Sequence, residues 1–447
     1  MSAKVRPIRG TLLAVVVIVA SGFLLFLKPP TTGHTSAAEI LQSTGELNWF
    51  RGNLHTHSLW SDGDDYPEMI AQWYKDQGYD FLAFSDHNTL LEGDRWTDVI
   101  NNAGGEPAYD KLKARFPDGW VEERTTDGRL EVRLKRFAEI TERIGVPHEF
   151  LLIQSEEISD RFERAAVHLN ATNIQELIPP MGGESVYETI QNNVDAVIAQ
   201  RERTGQPILV HVNHPNYLYS LTAEDMLRVR GENFFEVYNG HTNVANSGDD
   251  LHADTERIWD IMLTKRLAEI GLPMMYGMGT DDSHDYHNIP SRAKEPGRGW
   301  VTVLARELSA AAIIDAMEQG RFYASSGVTL EKVVSSERGL EVEIQPEPGV
   351  TFTIEFIGTR DGYDATSEPV RDGDGNPVRA TRRYSSDIGA VFEKVEGTKG
   401  TYQFAGDEVY VRARVTSSKL HPNPSELGEF ERAWVQPVKG PAAPKFD

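Results

Sequence analysis

The sequence predicts an α/β fold followed by an all-β domain, on two observations. From about residue 41 to about residue 327, short apolar runs ending in His, Asp or Glu alternate with amphipathic stretches ending in glycine. Beyond residue 327 the apolar spacing changes to period two, broken by turn sequences such as DGDGNP.

The strand candidates of the first part are LNWFRGNLHTH, DFLAFSDH, FLLIQSEEIS, AAVHLN, PILVHVNHP, FFEVYNG and MMYGMGTDDSH, followed by GWVTVLA. Between them PEMIAQWYKDQG, SVYETIQNNVDAVIAQRERTG, TERIWDIMLTKRLAEIG and SAAAIIDAMEQG read as helices with a glycine C-cap. That alternation argues for parallel strands joined by helices, whose C-terminal ends meet on one rim. Residues 90–148 break the rhythm with a long, charged, turn-rich stretch, read as an insertion over the site whose functional form is a lid. GLEVEIQ, TFTIEFIG, EVYVRARV and ERAWVQPV then make a β-sandwich over residues 328–447.

Composition narrows the function. Hydrophobic residues at 39% and charged residues at 25% are those of a globular chain. A net charge of −23 repels a polyanion, so no nucleic-acid partner is expected. With no cysteine, any metal is held by His, Asp and Glu. Lys4, Arg6 and Arg9 precede the apolar run TLLAVVVIVASGFLLFL at residues 11–27, so residues 1–40 are read as a targeting segment and linker. A retained membrane anchor and a signal cleaved near Ser36, Ala37 and Ala38 both fit the run. Either way the chain is exported to the periplasmic or extracellular side, and touches the membrane only through this segment.

The chemistry sits at the strand ends. In HTHSLWSDG, His55 and His57 are two apart on a strand and present both imidazoles to one side, and Asp62 adds an oxygen after the turn at Gly63. SDHN offers His87, with Asp86 to orient it. In SEEIS adjacent carboxylates face opposite ways, so one enters the site; Glu157 is chosen, with Glu156 as the substitute. AVHLN adds His168, HVNHP adds His214 with His211 left behind it, and GTDDSH adds Asp282 and His284 on one face with Asp281 turned away. Nine metal-type residues at the ends of strand candidates spanning over two hundred positions make a cluster of divalent ions the simplest reading.

With these motifs in place the sequence resembles the polymerase and histidinol phosphatase (PHP) family over about residues 47–326. HTHSLWSDG looks like its first motif, SDHN its second, SEEIS its third, and NHP and DDSH its later ones, although Ser155 replaces the usual glycine of the third. The resemblance implies a distorted seven-stranded, TIM-like β/α barrel and two or three divalent ions per chain: zinc, manganese or iron. It implies that His55, His57, Glu157 and Asp282 hold one ion; that Asp62, His87 and His214 hold a second; and that Glu157, His168 and His284 hold a third. GNLHTHS, TDDSHD, GRFYASSG and AWVQP look most like the family's CehA/McbA-type branch, which does not name a substrate.

The expected function is hydrolysis by metal-activated water of a small-molecule ester, most simply an anionic phosphoester, as is commonest in the family. Asp282 is the candidate proton acceptor, with His284 beside it; Arg298 in PGRGW is the candidate for holding an anionic group, and His241 and His287 are candidate donors at the rim. Glu236 and Asn239 are expected to support the ligands from behind. A carboxylic or carbamic ester hydrolase with the same ions, and a cell-surface binding module with structural metals, are the rival readings.

Overall fold

The computed structural model describes residues 47–446, so the targeting segment expected over residues 1–40 lies outside them. Among the described residues no helix is long and apolar enough to cross a membrane. In chain order the first part carries β1 (Asn48–Asn53), α1 (Pro67–Asp76), β2 (Phe81–Phe84), β3 (Trp96–Asp98), α2 (Gly105–Arg115), β4 (Glu123–Thr126), β5 (Arg129–Arg133), α3 (Phe137–Ile144), β6 (Leu151–Phe162) and β7 (Ala165–Thr172). It continues through α4 (Val186–Thr204), β8 (Leu209–Val212), α5 (Ala223–Met226), β9 (Phe234–Asn239), α6 (Thr255–Lys265), β10 (Tyr276–Thr280), β11 (Trp300–Ala305), α7 (Ala310–Glu318) and β12 (Phe322–Ser325). FLAF of β2, LVHV of β8 and FFEVYN of β9 are buried along their whole length, as strands covered on both faces require. The amphipathic stretches form helices: Ser185 accepts from Glu188 N–H to open α4, and Gly205, at φ 69°, turns the chain out of it, whereas α1 opens on Pro67 with no side-chain cap.

One sheet runs β10-β9-β8-β7-β6-β2-β1-β11-β12 and continues into the C-terminal strands. β1, β2 and β6 are parallel, and so are β8, β9 and β10. The all-parallel expectation fails at β7, which is antiparallel to both β6 and β8. Only Glu163 and Arg164 separate β6 from β7, and so short a link leaves no room for the crossover that parallel pairing needs. Among the described residues no ladder joins β10 back to β1. In place of the closed seven-stranded barrel implied by the resemblance, the run from β1 to β10 is open as a ladder and its first and last strands meet only at the mouth, where Thr56 bridges Ser283, His57 N donates to Ser283 O and Asp282 N to His55 O, both at 3.0 Å.

The insertion is a small subdomain, with an antiparallel sheet in the order β3-β5-β4 flanked by α2 and α3. Its Leu112, Phe116, Val132 and Ile140 share one apolar core with Ile70 and Tyr74 of α1 and Phe84 of β2, so it is packed on the scaffold. It meets the first motif where Trp60 Nε1 donates to Lys135 O at 3.0 Å.

The C-terminal strands are β13 (Leu330–Ser336), β14 (Gly339–Ile344), β15 (Phe352–Arg360), β16 (Ser367–Glu368), β17 (Arg383–Tyr384), β18 (Ala390–Glu396), β19 (Lys399–Gln403), β20 (Glu408–Leu420) and β21 (Phe430–Lys439). β13-β14-β19 packs across β21-β20-β15-β18 over a core that includes Leu340, Val342, Ile354, Phe356, Val411 and Val435. β21 also pairs with β12, so the sandwich shares a sheet with the first part. Side chains lock the same junction: Arg412 and Arg414 of β20 reach Glu256 of α6, each at 3.0 Å.

Burial works to raise the Glu256 pKa, but Arg412 and Arg414 overcome it and bring the carboxyl from 4.5 to about 2. A depressed carboxyl contributes stability that is present above its unfolded value and lost as pH falls through the folded one. Native protein should therefore exceed Glu256→Gln in stability at pH 6 and lose that advantage towards pH 2, as read by urea midpoints; a difference independent of pH would contradict this.

Candidate metal centre

The mouth collects the motif residues because each lies just past the C-terminal end of a strand, or level with one. His55 and His57 follow β1, His87 follows β2, His214 follows β8, and Asp282 and His284 follow β10. Glu157 lies inside β6, which runs on past the rim to Phe162, and the hairpin returns His168 on β7 opposite Ser159. The antiparallel course of β7 thus brings a histidine near its start to the same level. His214 and Asp282 take positive φ values of 21° and 49°, strained backbone of the kind found where a site over-determines the chain.

Donor atoms converge on Glu157 and Asp282. His55 Nε2 lies 3.5 Å from Glu157 Oε1 and 3.3 Å from Asp282 Oδ1; His57 Nε2 lies 3.5 Å from Glu157 Oε2 and 3.2 Å from Asp282 Oδ1. Glu157 Oε1 also faces His168 Nδ1 at 3.0 Å and His214 Nε2 at 3.3 Å, and its Oε2 faces His87 Nδ1 at 2.6 Å. Asp62 Oδ1 stands 3.5 Å from His87 Nε2 and 3.4 Å from His284 Nε2. Two ligands each about 2.1 Å from a tetrahedral ion are about 3.4 Å apart, the spacing most of these pairs show. His55 Nε2 and His57 Nε2 are buried and make no hydrogen bond, so two atoms at the centre lack the partner that burial demands. A divalent cation fits this donor set.

This geometry corrects the implied division of ligands. His55, His57, Glu157 and Asp282 stay together, but Asp62 and His87 group with His284, while His214 joins His168 on Glu157. His214 and His284 exchange places because β8 lies beside β7, whereas the chain after β10 lies beside the first motif.

The charges balance only as a group. Burial raises and the histidines lower the Glu157 pKa; the histidines win, led by His87, His168 and His55, and hold it well below the usual range. Burial likewise opposes Asp282, yet His55 and His57 hold it well below its ordinary value. The reverse balance lifts His87 to about 9 against burial, through Glu157 and Asp62. His57 is pushed down to about 3 by burial and by the charges of His284 and His87.

Glu236 of β9 supports the cluster from below. Its Oε1 faces His55 Nδ1 at 2.7 Å and accepts from Thr280 Oγ1 at 2.8 Å; its Oε2 accepts from His214 N at 2.7 Å and Asn239 Nδ2 at 2.8 Å. His211 lies 3.4 Å from the same carboxylate. Asn239 Nδ2 also donates to Asp282 Oδ2 at 3.1 Å. Glu236→Gln should therefore weaken metal retention and turnover about 10- to 100-fold, the usual cost of losing such a partner, while the fold persists. Unchanged metal content and rate would show that Glu236 does not set the His55 ring.

Other candidates land elsewhere. Asp86 does not orient His87; it accepts from Ser58 N at 2.8 Å and Ser61 Oγ at 2.6 Å and so shapes the turn before Asp62. Glu156 faces away, accepting from Ile178 N at 2.7 Å. Arg298 is fully buried with its guanidinium spent on Gly240 O, Glu295 and Asn423, so it stands behind the site and cannot receive a substrate. His287 is tied to Asp64 O at 3.1 Å. Asp281 is turned away, accepting from Tyr74 Oη and the Arg298 and Gly299 amides. His241 does reach the rim, its ring 5.3 Å from that of His284. Tyr217, which no pattern in the sequence marks, stands over the cluster with its ring 5.1 Å from His214.

No family model and no curated protein matches the chain. It is similar in structure to a two-domain protein containing a predicted PHP-like metal-dependent phosphoesterase from Bacteroides vulgatus, at 14% identity and a TM-score of 0.39 over 87% of this chain and 95% of that one. It is also similar to PsfC from Pseudomonas syringae, at 14% identity and a TM-score of 0.30 over 60% of this chain and 88% of that one. An amidohydrolase from Chromobacterium violaceum is similar at 14% identity and a TM-score of 0.27, over 53% of this chain and 88% of that one.

Proposed function

We propose that this chain is a metal-dependent hydrolase of the PHP type, exported by its N-terminal segment, that cleaves phosphoesters. The observation that carries the reading is that buried His55 Nε2 and His57 Nε2, which make no hydrogen bond, each lie within ligand spacing of carboxylate oxygens of both Glu157 and Asp282. When bound, divalent ions would lower the pKa of water and polarise the ester oxygen.

The chain's own residues do the rest. Glu236 fixes the tautomer and direction of His55 through Nδ1, leaving Nε2 towards the centre. His284 Nδ1 is held by Asp282 O at 2.9 Å, which aims Nε2 at Asp62. Asp282, anchored by Asn239, is the carboxylate placed to take a proton from the attacking water at Oδ1. Asp62, whose side chain is 55% exposed, marks the open side from which substrate enters.

The test is hydrolysis by protein reconstituted separately with zinc, manganese and iron, on matched 4-nitrophenyl esters. Metal-dependent cleavage of phosphate esters faster than of acetate or carbamate supports the reading. Preference for a carboxylic or carbamic ester would replace its substrate class, and inactivity on all of them at full metal loading would replace hydrolysis with a binding role.

A further inference from the structure

Six rings close a circuit round the mouth, and two of them belong to no ligand group. In order they are His214, Tyr217, His241, His284, His87 and His168, with successive centroids 5.1, 5.9, 5.3, 6.1, 5.8 and, from His168 back to His214, 5.1 Å apart. His55 and His57 are fully buried against it, whereas the His87 and His168 side chains stay 28% and 17% exposed, so the circuit is where the centre meets solvent. Tyr217 and His241, the two that are not ligands, fill the arc between His214 and His284.

The backbone is strained to hold Tyr217 in that arc. Tyr217 N donates to His214 O at 2.8 Å, which turns the loop back over the ligand it has just placed. His214, Leu218 and Tyr219 take φ values of 21°, 53° and 50°, three left-handed non-glycine residues in a run of six, and such strain persists only where the surroundings over-determine it. Here they do. Asn216 Nδ2 donates to Ala245 O and Ala253 O, both at 2.9 Å, and Tyr217 bridges Val244. The Tyr219 ring stacks at 3.7 Å on His252, whose Nδ1 lies 2.8 Å from Asp249 Oδ1. What this framework presents is a half-buried phenol whose hydroxyl has no hydrogen-bond partner among the described residues.

We propose that Tyr217 is a catalytic residue that donates its O–H to the oxygen of the departing group. The inference rests on the metal-hydrolase reading, but the donor itself can be tested without turnover. A departing oxygen gains negative charge as its bond breaks, and a donor aimed at it lowers the barrier. The carboxylates of Glu157 and Asp282 only accept, and the Asn213 and Asn239 amides are spent on them. Four rings of the circuit turn their nitrogens to ligand work, which leaves two. His241 Nδ1 accepts from Asn243 N at 3.0 Å, so that ring offers an imidazole N–H, a weaker donor to an oxyanion than the phenol of Tyr217. In the step, the attacking water gives a proton to Asp282 and its oxygen bonds to the phosphorus or acyl carbon. The ester bond breaks with its electron pair on the departing oxygen, which Tyr217 hydrogen-bonds and which then takes a proton from solvent, so Tyr217 keeps its own. Its help is greatest where the departing oxygen is most basic.

The experiment compares metal-loaded native protein, Tyr217→Phe and His241→Asn on phenyl and 4-nitrophenyl phosphate and on phenyl and 4-nitrophenyl acetate, with metal content measured for each. Tyr217→Phe removes a hydroxyl that has no partner to lose, so it should fold and hold metal as the native protein does; loss of metal would make Tyr217 a support of the ligands and overturn the assignment. Within the ester class that the protein cleaves, kcat of Tyr217→Phe should fall about 10- to 100-fold on the phenyl ester and less than about threefold on the 4-nitrophenyl ester, whose weakly basic oxygen leaves with little help, while KM changes little. Equal losses on both esters, a loss confined to KM, no loss, or a leaving-group-dependent loss seen only in His241→Asn would each overturn it. Titration of 4-nitrophenolate, which carries the full charge, supplies the readout without turnover: it should bind at least about fivefold more weakly to Tyr217→Phe than to native protein. If native protein at full metal loading hydrolyses none of the four esters, the hydrolase reading falls, and this titration decides for Tyr217 alone: weaker binding by the variant leaves the donor standing, and equal binding removes it as well.

Discussion

Glu157→Gln is expected to strip the centre of metal and lower kcat/KM by more than about a hundredfold, beyond the loss that even an outer partner of a ligand brings. The carboxylate is fully buried, and its two oxygens face His55, His57, His87, His168 and His214 at 2.6 to 3.5 Å. Asn213 Nδ2 donates to Oε1 at 2.8 Å and fixes its rotamer. An amide of the same shape keeps the volume but removes the negative charge that several cations would share. It also turns N–H donors towards imidazole nitrogens that need to be free for metal. Metal analysis together with hydrolysis rates on the variant checks this; near-native values for both would mean that Glu157 is a structural acid and the centre lies elsewhere.

Asp260→Ala should cost roughly 3–5 kcal/mol of stability, the effect of stranding a buried cation. Asp260 Oδ1 and Oδ2 accept from Arg412 Nε and Nη2, each at 2.7 Å, and Oδ1 accepts from Tyr410 Oη at 2.8 Å, so one carboxylate satisfies two residues of β20 from α6. Arg412 is 1% exposed and keeps only Glu256 when Asp260 is gone. Asp260→Asn retains hydrogen-bonding capacity and should lose less. The urea midpoint of each variant measures this; a shift within error of zero for Asp260→Ala would show that the Asp260–Arg412 pair does not hold the sandwich to the first part.

Much of the site was legible because ligand chemistry leaves a dense trace. Paired His55/His57 and Asp282/His284 announce themselves by spacing, and the glycines closing α1, α4 and α7 mark helix ends without reference to tertiary structure. Four things were not legible, each for a physical reason. The direction of β7 depends on a two-residue turn made by Glu163 and Arg164, neither of which is a turn-former by composition. The sharing of His214 and His284 between ion sets depends on which strands are neighbours, which local pattern does not encode. Arg298 in PGRGW was a candidate for holding an anionic group, with a surface loop charge the more usual case, whereas its fate was decided by Glu295 and by Asn423, far along the chain. Tyr217 carried no signal at all: a tyrosine in a loop acquires meaning only when Asn216 ties that loop to its neighbour.

The most direct test of the account is the metal content of the folded, purified chain after separate saturation with zinc, manganese and iron and exhaustive dialysis. The donor groups on His55/His57/Asp282, on Asp62/His87/His284 and around Glu157 predict two or three tightly held ions per chain. A correctly folded chain that retains no divalent ion under any of these conditions would contradict it.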